Sequence, residues 1–269
     1  MIAYSAYFLG NLRSLLRYRV AALAGFVTQA FWGLLRISIF GAFYSALGAS
    51  QQPPMALPQL VAYVWIGQAL FVLLPLRPDP EAVELVREGG LAYELTRPVD
   101  LYAFWLARSL ALRLAPVALR LPLVLGFAFL LPIRAWSLSL PPTVSAGVSF
   151  VVALVLSLAL AAALTALMSV LCLWIQGGAG LAQLVGILAW VTSGLVLPLP
   201  MFPRAIQHAL EWLPFAGIMD TPLRLYSGHL SPAEAAPALL RSLIWALLLM
   251  FAGRALLRAS LRRVEVQGG

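Results

Sequence analysis

The basic side chains that could take part in chemistry are all arginines, because the 269 residues include 18 arginines and no lysine. A Walker A phosphate loop requires a lysine beside the nucleotide phosphates. Lysine is also the residue of enzymatic Schiff bases and of the Ser-x-x-Lys arrangement. The sequence therefore excludes a standard ATP-hydrolysing loop and both of these lysine-dependent chemistries.

Histidines and carboxylates could form a metal or hydrolytic site in one region only. His208 and His229 are the two histidines of the chain, and a zinc site needs more ligands than these. Glu211, Asp220 and Glu234 lie in the same region, so residue types alone leave a paired-carboxylate hydrolase open. No spacing singles out a pair, and no catalytic residue and no metal site are predicted.

The composition indicates the kind of environment in which the fold must position these side chains. Hydrophobic residues make up 62% of the chain and charged residues only 10%, whereas a soluble domain usually carries about 25% charged residues. The chain is therefore expected to lie in a membrane, and its net charge of +8 is interpreted as a topology signal and not as a nucleic-acid site. Cys172, the single cysteine, lies inside an apolar run and is expected to be a small buried residue.

Six apolar runs approach the roughly 20 residues that a membrane-spanning helix needs. They cover residues 21–47, 60–76, 114–133, 144–173, 181–199 and 239–257, and the third could begin as early as residue 101. The expected fold is all-α, with six transmembrane helices in a single transmembrane domain over residues 1–269. Ser157, Ala161, Thr165 and Ser169 recur every fourth residue in the fourth run, a stripe typical of close helix packing.

The N-terminal segment is predicted to be an amphipathic interfacial helix over residues 3–18. Its apolar side chains, such as Phe8 and Leu12, recur at helical spacing, while Arg13 and Arg17 fall on another face. The alternative is that this segment is the cytosolic start of the first spanning helix.

Arginine counts predict the orientation. With the N-terminus placed inside, twelve arginines fall in cytosolic segments, four in external segments and two within spans. Cytosolic loops of membrane proteins carry the excess of positive charge. Both termini, and the loop between the second and third runs, are therefore expected to face the cytosol.

That loop, residues 77–100, contains six of the ten acidic residues. Asp79 can cap a helix, Pro80 suits the first helical position and Gly89 can end the helix. The spacing predicts a short charged helix over residues 80–88. The alternative is an ordinary loop that happens to contain a capped polar helix.

The stretch Arg87-Glu88-Gly89-Gly90-Leu91, followed by Glu94-Leu95-Thr96-Arg97-Pro98, resembles the ABC-2 membrane family, the permeases of type-2-like ABC exporters. The order of elements along the rest of the chain is also similar. In this family the cytosolic helix is a coupling helix that docks in a groove of the ATPase subunit. The resemblance implies that the contact with the ATPase involves Glu81, Glu84, Leu85, Arg87, Glu88, Gly89, Leu91, Arg97 and Pro98.

The resemblance also implies the function and the partners. The chain is expected to be a non-catalytic permease in the bacterial cytoplasmic (inner) membrane, which exports a hydrophobic or amphipathic drug, lipid or peptide. No cofactor is expected in this chain, whereas ATP and Mg are expected in a separate ABC ATPase subunit. A second permease subunit completes the path, and the branch resembled favours a heterodimer slightly over a homodimer. Membrane lipids are the other expected partner, and nucleic acid is not one.

The external region, residues 200–235, resembles the family's short helices that dip into the outer leaflet. Pro203 can begin a helix that Pro214 ends, with Ile206 and Leu210 on one apolar face. The alternative is a plain structured loop, which the sequence cannot distinguish from a re-entrant one.

Arg36 lies near the middle of the first apolar run, where a charge costs about 2.5–3.5 kcal/mol on insertion scales. No carboxylate falls within a predicted span, so the compensating group must be backbone carbonyls, a partner subunit, water or an anionic head group. The hypothesis is that Arg36 faces the translocation path or the subunit interface, and snorkelling is the alternative. Arg113 and Arg120 share a helix face and are expected to snorkel to the cytosolic head groups.

Two other functions remain as alternatives. An ion-coupled secondary transporter commonly carries carboxylates inside its spans, and none is predicted here. A membrane-embedded lipid-modifying enzyme would need a cluster of His, Asp or Glu at the bilayer surface, and no such cluster is evident in the sequence.

Overall fold

The computed structural model describes residues 2–17, 19–47, 52–88, 90, 94–96, 99–175 and 178–262. The described residues form helices and no strand, so the predicted all-α class is confirmed. In chain order the α-helices are α1 (Ile2–Leu15), α2 (Arg19–Ala46), α3 (Leu57–Leu70), α4 (Pro80–Arg87), α5 (Leu101–Leu130), α6 (Val144–Trp174), α7 (Ala179–Thr192), α8 (Arg204–Glu211), α9 (Pro214–Ile218), α10 (Asp220–Tyr226) and α11 (Pro232–Leu261). Three 3-10 turns lie at Phe71–Leu73, Arg134–Trp136 and Leu199–Met201.

Within the described residues, four helices are long and apolar enough to cross a membrane: α2, α5, α6 and α11. Each has about 30 residues, which corresponds to about 45 Å at 1.5 Å per residue, whereas the hydrocarbon core is about 30 Å thick. These helices therefore tilt or extend beyond the bilayer. Two shorter apolar helices, residues 57–73 and 180–192, lie beside them.

The third spanning helix follows the longer of the two sequence predictions. Helix α5 is continuous from Leu101, where the Asp100 carboxylate accepts a hydrogen bond from the Ala103 N–H at 2.8 Å. Pro116 and Pro122 lie inside it without ending it. Such prolines are tolerated in membrane helices because neighbouring groups satisfy the freed backbone.

Helix α6 is the centre of the bundle and packs against α4, α5, α7, α9, α10 and α11. The predicted stripe of small residues is buried on this helix and makes specific contacts. Ser157 donates to the carbonyl of Ile218 in α9, and Ser169 accepts from the backbone of Asp79 just before α4. The stripe therefore joins α9 to the residue that precedes α4 as well as allowing close packing.

The prediction for the fifth apolar run, residues 181–199, was wrong at its C-terminal end, because α7 stops at Thr192. Gly194 adopts a left-handed backbone with φ +87°, and a Cβ there would lie 2.5 Å from the Tyr63 hydroxyl. Only glycine adopts this conformation readily. The chain therefore leaves the helix and crosses to a 3-10 turn in non-helical form.

The insertion of residues 200–235 is largely helical, and helices in its second half are buried. Pro203 precedes α8, as predicted, but α8 ends at Glu211 and Pro214 begins α9 instead of ending α8. The first helical position suits proline because it needs no hydrogen-bonded N–H. Helices α9 and α10 then pack against α3, α6 and α11.

Candidate functional site

Helix α4 begins as the sequence predicts. The Asp79 carboxylate accepts a hydrogen bond from the Glu81 N–H at 3.0 Å, and Pro80 occupies the first turn. The Asp79 N–H donates to the Ser169 hydroxyl of α6 at 3.1 Å. The cap residue therefore fixes the start of α4 to the central helix.

The same carboxylate forms a buried ion pair with Arg108 of α5. The two side chains are only 3% and 2% exposed. Arg108 also lies 3.3 Å from the Glu81 carboxylate and 3.9 Å from that of Glu94. Breaking a buried pair leaves an uncompensated charge and is strongly destabilising, so α4 is held firmly to the bundle.

The C-terminal end of the segment of residues 77–100 is held as well. The Glu94 carboxylate accepts a hydrogen bond from the Trp105 indole at 2.7 Å, and Asp100 forms an ion pair with Arg254 of α11. Helices α5 and α11 therefore anchor the residues that follow α4.

The residues to which the resemblance assigns a contact with the ATPase divide into two groups. Glu81, Glu84, Arg87 and Glu88 are exposed, and Leu85 is half-buried. Gly89, Leu91, Arg97 and Pro98 lie outside the described residues. The exposed face of α4 thus presents three carboxylates and one guanidinium.

A groove of about 380 Å³ separates this face from α1 and α5. Tyr7 of α1 stacks on Phe104 of α5 with ring centroids 3.9 Å apart, which closes one side of the groove. The N-terminal helix therefore packs against the N-terminal end of α5. Whether it also lies in the membrane interface stays a prediction.

Arg113 holds the link between α3 and α4, and the prediction that it snorkels was wrong. Its guanidinium donates to the carbonyls of Val72, Leu74 and Arg77 at 3.1–3.4 Å and to the Thr165 hydroxyl of α6 at 2.9 Å. These carbonyls follow the last turn of α3 and have no helical partner. Arg113 therefore fixes the path of the link across α6.

The link also touches α7. A Cβ placed on Gly186 would lie 2.3 Å from the carbonyl oxygen of Leu76. Leu76 is three residues before Asp79, so the chain that leads into α4 passes directly over the backbone of α7.

Arg36 of α2 finds backbone carbonyls as its partners. Its Nη2 donates to the carbonyl of Leu195 and, at 2.5 Å, to that of Val196. Both carbonyls belong to the non-helical stretch after α7, where no helical hydrogen bond is available. The guanidinium therefore supplies hydrogen bonds to carbonyls that the early end of α7 leaves without helical partners.

Arg36 also borders a cleft of about 540 Å³ between α2, α3 and α7. The cleft is lined by Thr28, Gln29, Trp32, Arg36, Gln68, Phe71, Leu76, Trp190, Leu195 and Val196. Leu76 thus contributes both to the cleft and to the link that leads into α4.

A second buried charge cluster joins α3, α8 and α10. Asp220 of α10 is 1% exposed and accepts a hydrogen bond from the Tyr63 hydroxyl at 2.8 Å. Arg224 lies 3.3 Å from Asp220 and 2.5 Å from Glu211. Asp220 lies outside the predicted spans, as the sequence indicates, yet its buried carboxylate reaches Tyr63 of α3.

The pKa of Glu211, at the end of α8, reflects this cluster. Burial raises the pKa of Glu211. Hydrogen bonds from Gln207 and Arg224, together with the positive charges of Arg224 and Arg241, lower this pKa by more than burial raises it. The pKa of Glu211 therefore lies below its ordinary value, and the carboxylate is charged at neutral pH.

The other residues predicted for the 200–235 region differ in exposure. Pro203 and Ile206 are exposed, Leu210 is half-buried and Pro214 is buried. Helix α8 itself has no buried residue. Its apolar side chains are therefore at least partly exposed, with Ile206 48% exposed.

Sequence reasoning missed three of these contacts. Asp79 and Arg108 are 29 residues apart, and no periodicity relates them. Leu76 and Gly186 meet through backbone, which leaves no side-chain signal. Asp220 and Arg224 are four residues apart, and this helical spacing was a usable signal of an ion pair.

Metal-ligating residues do not cluster in the described part of the chain. No group of three or more His, Cys, Asp or Glu residues there could hold a metal ion. His208 is exposed and His229 is half-buried.

Comparison with known proteins identifies one family. Residues 57–268 match the family described as ABC-2 family transporter protein. The match covers well over half of the chain and includes α3 to α11. No curated protein matches the chain significantly.

Proposed function

This chain belongs to the ABC-2 transporter family, and we propose that it is the permease subunit of an ATP-driven exporter. The chain has no lysine for a phosphate loop. ATP and Mg therefore bind to a separate ABC ATPase, and this subunit supplies the membrane path and catalyses no reaction.

In this proposal the chain crosses the bacterial cytoplasmic membrane six times, within one domain over residues 1–269. Helices α2, α5, α6 and α11 form four crossings, and α3 and α7 form two shorter ones. Leu60–Leu70 of α3 are all buried, so this helix needs little contact with lipid. The arginine count places both termini, α1 and α4 on the cytosolic side.

The observation that carries the proposal is the attachment of α4 to the helical bundle. Its base is fixed by the buried pair of Asp79 and Arg108, while its outer face exposes Glu84, Arg87 and Glu88. A rigid base with an exposed charged face suits a helix that receives a force from another protein. We assign α4 as the coupling helix, with Glu81 and Leu85 at the edge of the contact and Gly89, Leu91, Arg97 and Pro98 completing it.

A physical path leads from α4 to the membrane cleft. The link before Asp79 contains Leu76, which lines the cleft and packs against Gly186 of α7. Arg113 fixes the carbonyls of the same link. Movement of α4 by a closing ATPase would therefore shift one wall of the cleft.

The cleft itself is the proposed translocation path, and it opens where a second permease subunit would pack. Trp32 and Trp190 at its border are about half exposed, which is unusual for a buried site and suits a surface completed by lipid or a partner. We propose a second permease, with a heterodimer slightly favoured. The substrate is hydrophobic or amphipathic, such as a drug, a lipid or a peptide.

Affinity purification from the native host tests the proposal. The tagged chain is expected to retain an ABC ATPase, and the purified complex to hydrolyse ATP. The double variant Glu84→Arg with Arg87→Glu exchanges charges without changing the net charge, and it should lower ATPase recovery at least tenfold while leaving the melting temperature unchanged.

The matched control is Glu84→Asp with Arg87→Lys, which keeps both charges and should retain the ATPase. If the charge-exchanged protein retains the ATPase at the wild-type level, α4 is not the docking helix. If the wild-type chain recovers no ATPase, the assignment as an ABC permease is wrong.

A further inference from the structure

The charge of Arg36 is not neutralised by the protein that surrounds it. The carbonyls of Leu195 and Val196 accept hydrogen bonds from Nη2 but carry no formal charge. Among the described residues no carboxylate forms an ion pair with Arg36. A guanidinium this far inside a membrane helix is costly unless an anion or polar groups compensate it.

Arg36 also has N–H donors that find no acceptor among the described residues. A guanidinium carries five N–H groups, and Nη2 supplies two of them to the carbonyls. The three on Nε and Nη1 have no acceptor in the described part of the chain, and the residue borders the open cleft. A planar set of donors beside an unbalanced positive charge is the arrangement that binds carboxylate or phosphate.

A second copy of this chain does not supply the missing anion by packing on the same face. The faces that border the cleft belong to α2 and α7, and residues 19–46 and 179–192 contain no Asp or Glu. Symmetric packing of these faces would bring two arginines together without a carboxylate. Charge complementarity therefore favours a small anionic ligand over a second copy.

The remainder of the cleft indicates what the anion is attached to. Trp32 and Trp190 offer indole rings at its border, while Gln29, Gln68 and Thr28 offer a few polar groups. A mostly apolar pocket with few polar groups is typical of small-ligand sites, and about 540 Å³ lies within their usual range of about 300–1,000 Å³. The occupant is thus a small molecule with an apolar body.

We propose that the cleft binds a small amphiphile with an anionic head group, a carboxylate or a phosphate. The head group contacts the free N–H groups of Arg36, and the apolar body lies beside Trp32 and Trp190. This inference rests on the proposed transport function and names the substrate class of that site. In this proposal the ligand is an exchangeable amphiphile and not a resident membrane lipid.

Tryptophan quenching tests the proposal with the purified chain in phosphatidylcholine nanodiscs. The probes are 11-bromoundecanoate and 11-bromoundecyltrimethylammonium, which share a chain and differ in head-group charge. Saturable quenching by the anion is expected at concentrations at least about tenfold lower than by the cation, as hydrogen bonds to a charged group imply. Equal quenching by the two probes would overturn the proposal.

Variants assign the effect to Arg36. Arg36→Gln should weaken binding of the anion about tenfold or more, Arg36→Lys should retain part of it, and the exposed Arg134→Gln is the control that should retain all of it. Since Arg36→Gln also removes the bonds to the carbonyls, Gln68→Glu provides a second test, because it brings a carboxylate to the cleft and leaves Arg36 in place. Wild-type binding by Gln68→Glu would contradict the proposal.

Phosphatidylglycerol nanodiscs distinguish the two sources of an anionic head group. An exchangeable site should keep its saturable binding of 11-bromoundecanoate in this lipid. Loss of that binding, with phosphatidylglycerol retained through purification in an Arg36-dependent way, would show a resident lipid and overturn the proposal. These measurements need neither ATP nor the ATPase, so their failure is distinguishable from failure to recover an ATPase.

Discussion

The carbonyl oxygen of Leu76 lies so close to Gly186 that a Cβ at residue 186 would stand 2.3 Å from it. Glycine is required here because two stretches of backbone meet, and backbone cannot move aside as a flexible side chain can. Gly186→Ala is therefore expected to displace the link before α4 from α7. The cost should be about 1–3 kcal/mol, as for other overpacked sites, visible as a lower melting temperature in detergent and as reduced ATP-dependent export.

Gly180 is the matched control for this change, because it lies in the same helix and has open space where its Cβ would be. Gly180→Ala should leave the melting temperature unchanged or raise it, since alanine favours a helix by about 1 kcal/mol relative to glycine. Equal behaviour of the two variants would mean that the contact with Leu76 does not constrain the link.

The pair of Asp79 and Arg108 should be the most costly contact of α4 to break. Arg108→Met leaves the buried Asp79 carboxylate without its partner, and such losses typically cost about 3–5 kcal/mol. The measurement is thermal or denaturant unfolding of the purified chain. Asp79→Ala should be similarly harmful, because it removes both the ion pair and the N-cap.

Asp79→Asn separates these two roles, since asparagine caps helices as well as aspartate does but carries no charge. It should lie between wild type and Asp79→Ala in stability. Glu81→Gln is the control, because Glu81 is 66% exposed and its contact with Arg108 is largely solvated. If Glu81→Gln lowered the free energy of unfolding as much as Arg108→Met does, burial would not determine the cost of breaking a contact with Arg108.

The local features of α4 could be predicted because each depends on neighbours in the chain. The Asp79 cap, the proline at the first position and the charged face all follow from residues within a single turn. The same holds for the long helices, whose apolar length alone indicates a membrane span. These predictions use no contact between distant parts of the sequence.

The predictions that were wrong concern features that depend on tertiary contacts. The early end of α7 follows from Gly194, which must avoid Tyr63, and from Arg36, which satisfies the freed carbonyls. Hydropathy cannot report either contact, because residues 193–199 remain apolar whether or not they are helical. Arg113 was likewise interpreted from its charge alone, whereas its partners are carbonyls about 40 residues away along the chain.

Tyr63 and Asp220 join α3 to the external helices, and Tyr63→Phe is expected to weaken that connection. The variant removes a buried donor to a carboxylate, a type of bond worth about 1.5–3 kcal/mol. Asp220 keeps its contact with Arg224, so the protein should still fold. A lower free energy of unfolding in denaturant titrations would report the loss.

Tyr226→Phe gives the comparison for this change. The Tyr226 hydroxyl donates to the neutral carbonyl of Ser139 at 3.1 Å, a type of bond worth about 0.5–1.5 kcal/mol. Its loss should therefore be the smaller of the two. If both tyrosines give the same small change, the charge of Asp220 adds nothing to the bond with Tyr63.

Glu234 should make the start of α11 sensitive to acid. Its carboxylate accepts hydrogen bonds from the Ser231 hydroxyl at 2.7 Å and the Ser231 N–H at 2.9 Å, which lower the pKa of Glu234 below its ordinary value of 4.5. Folding therefore favours the charged form. This stabilisation is fully present above about pH 4.5 and is lost as the pH falls through the lowered pKa.

Glu234→Gln tests the sign, because glutamine keeps the capping box but cannot titrate. Its stability should be slightly below wild type at pH 7, because it lacks the favoured charge, and its melting temperature should fall less between pH 5 and pH 3. Glu234→Ala, which loses the box, should be less stable at neutral pH by an amount of the order of a lost cap, about 0.5–2 kcal/mol. A wild-type acid dependence in Glu234→Gln would mean that the carboxylates in and around the Asp220 cluster, and not this cap, control the response of the external helices to acid.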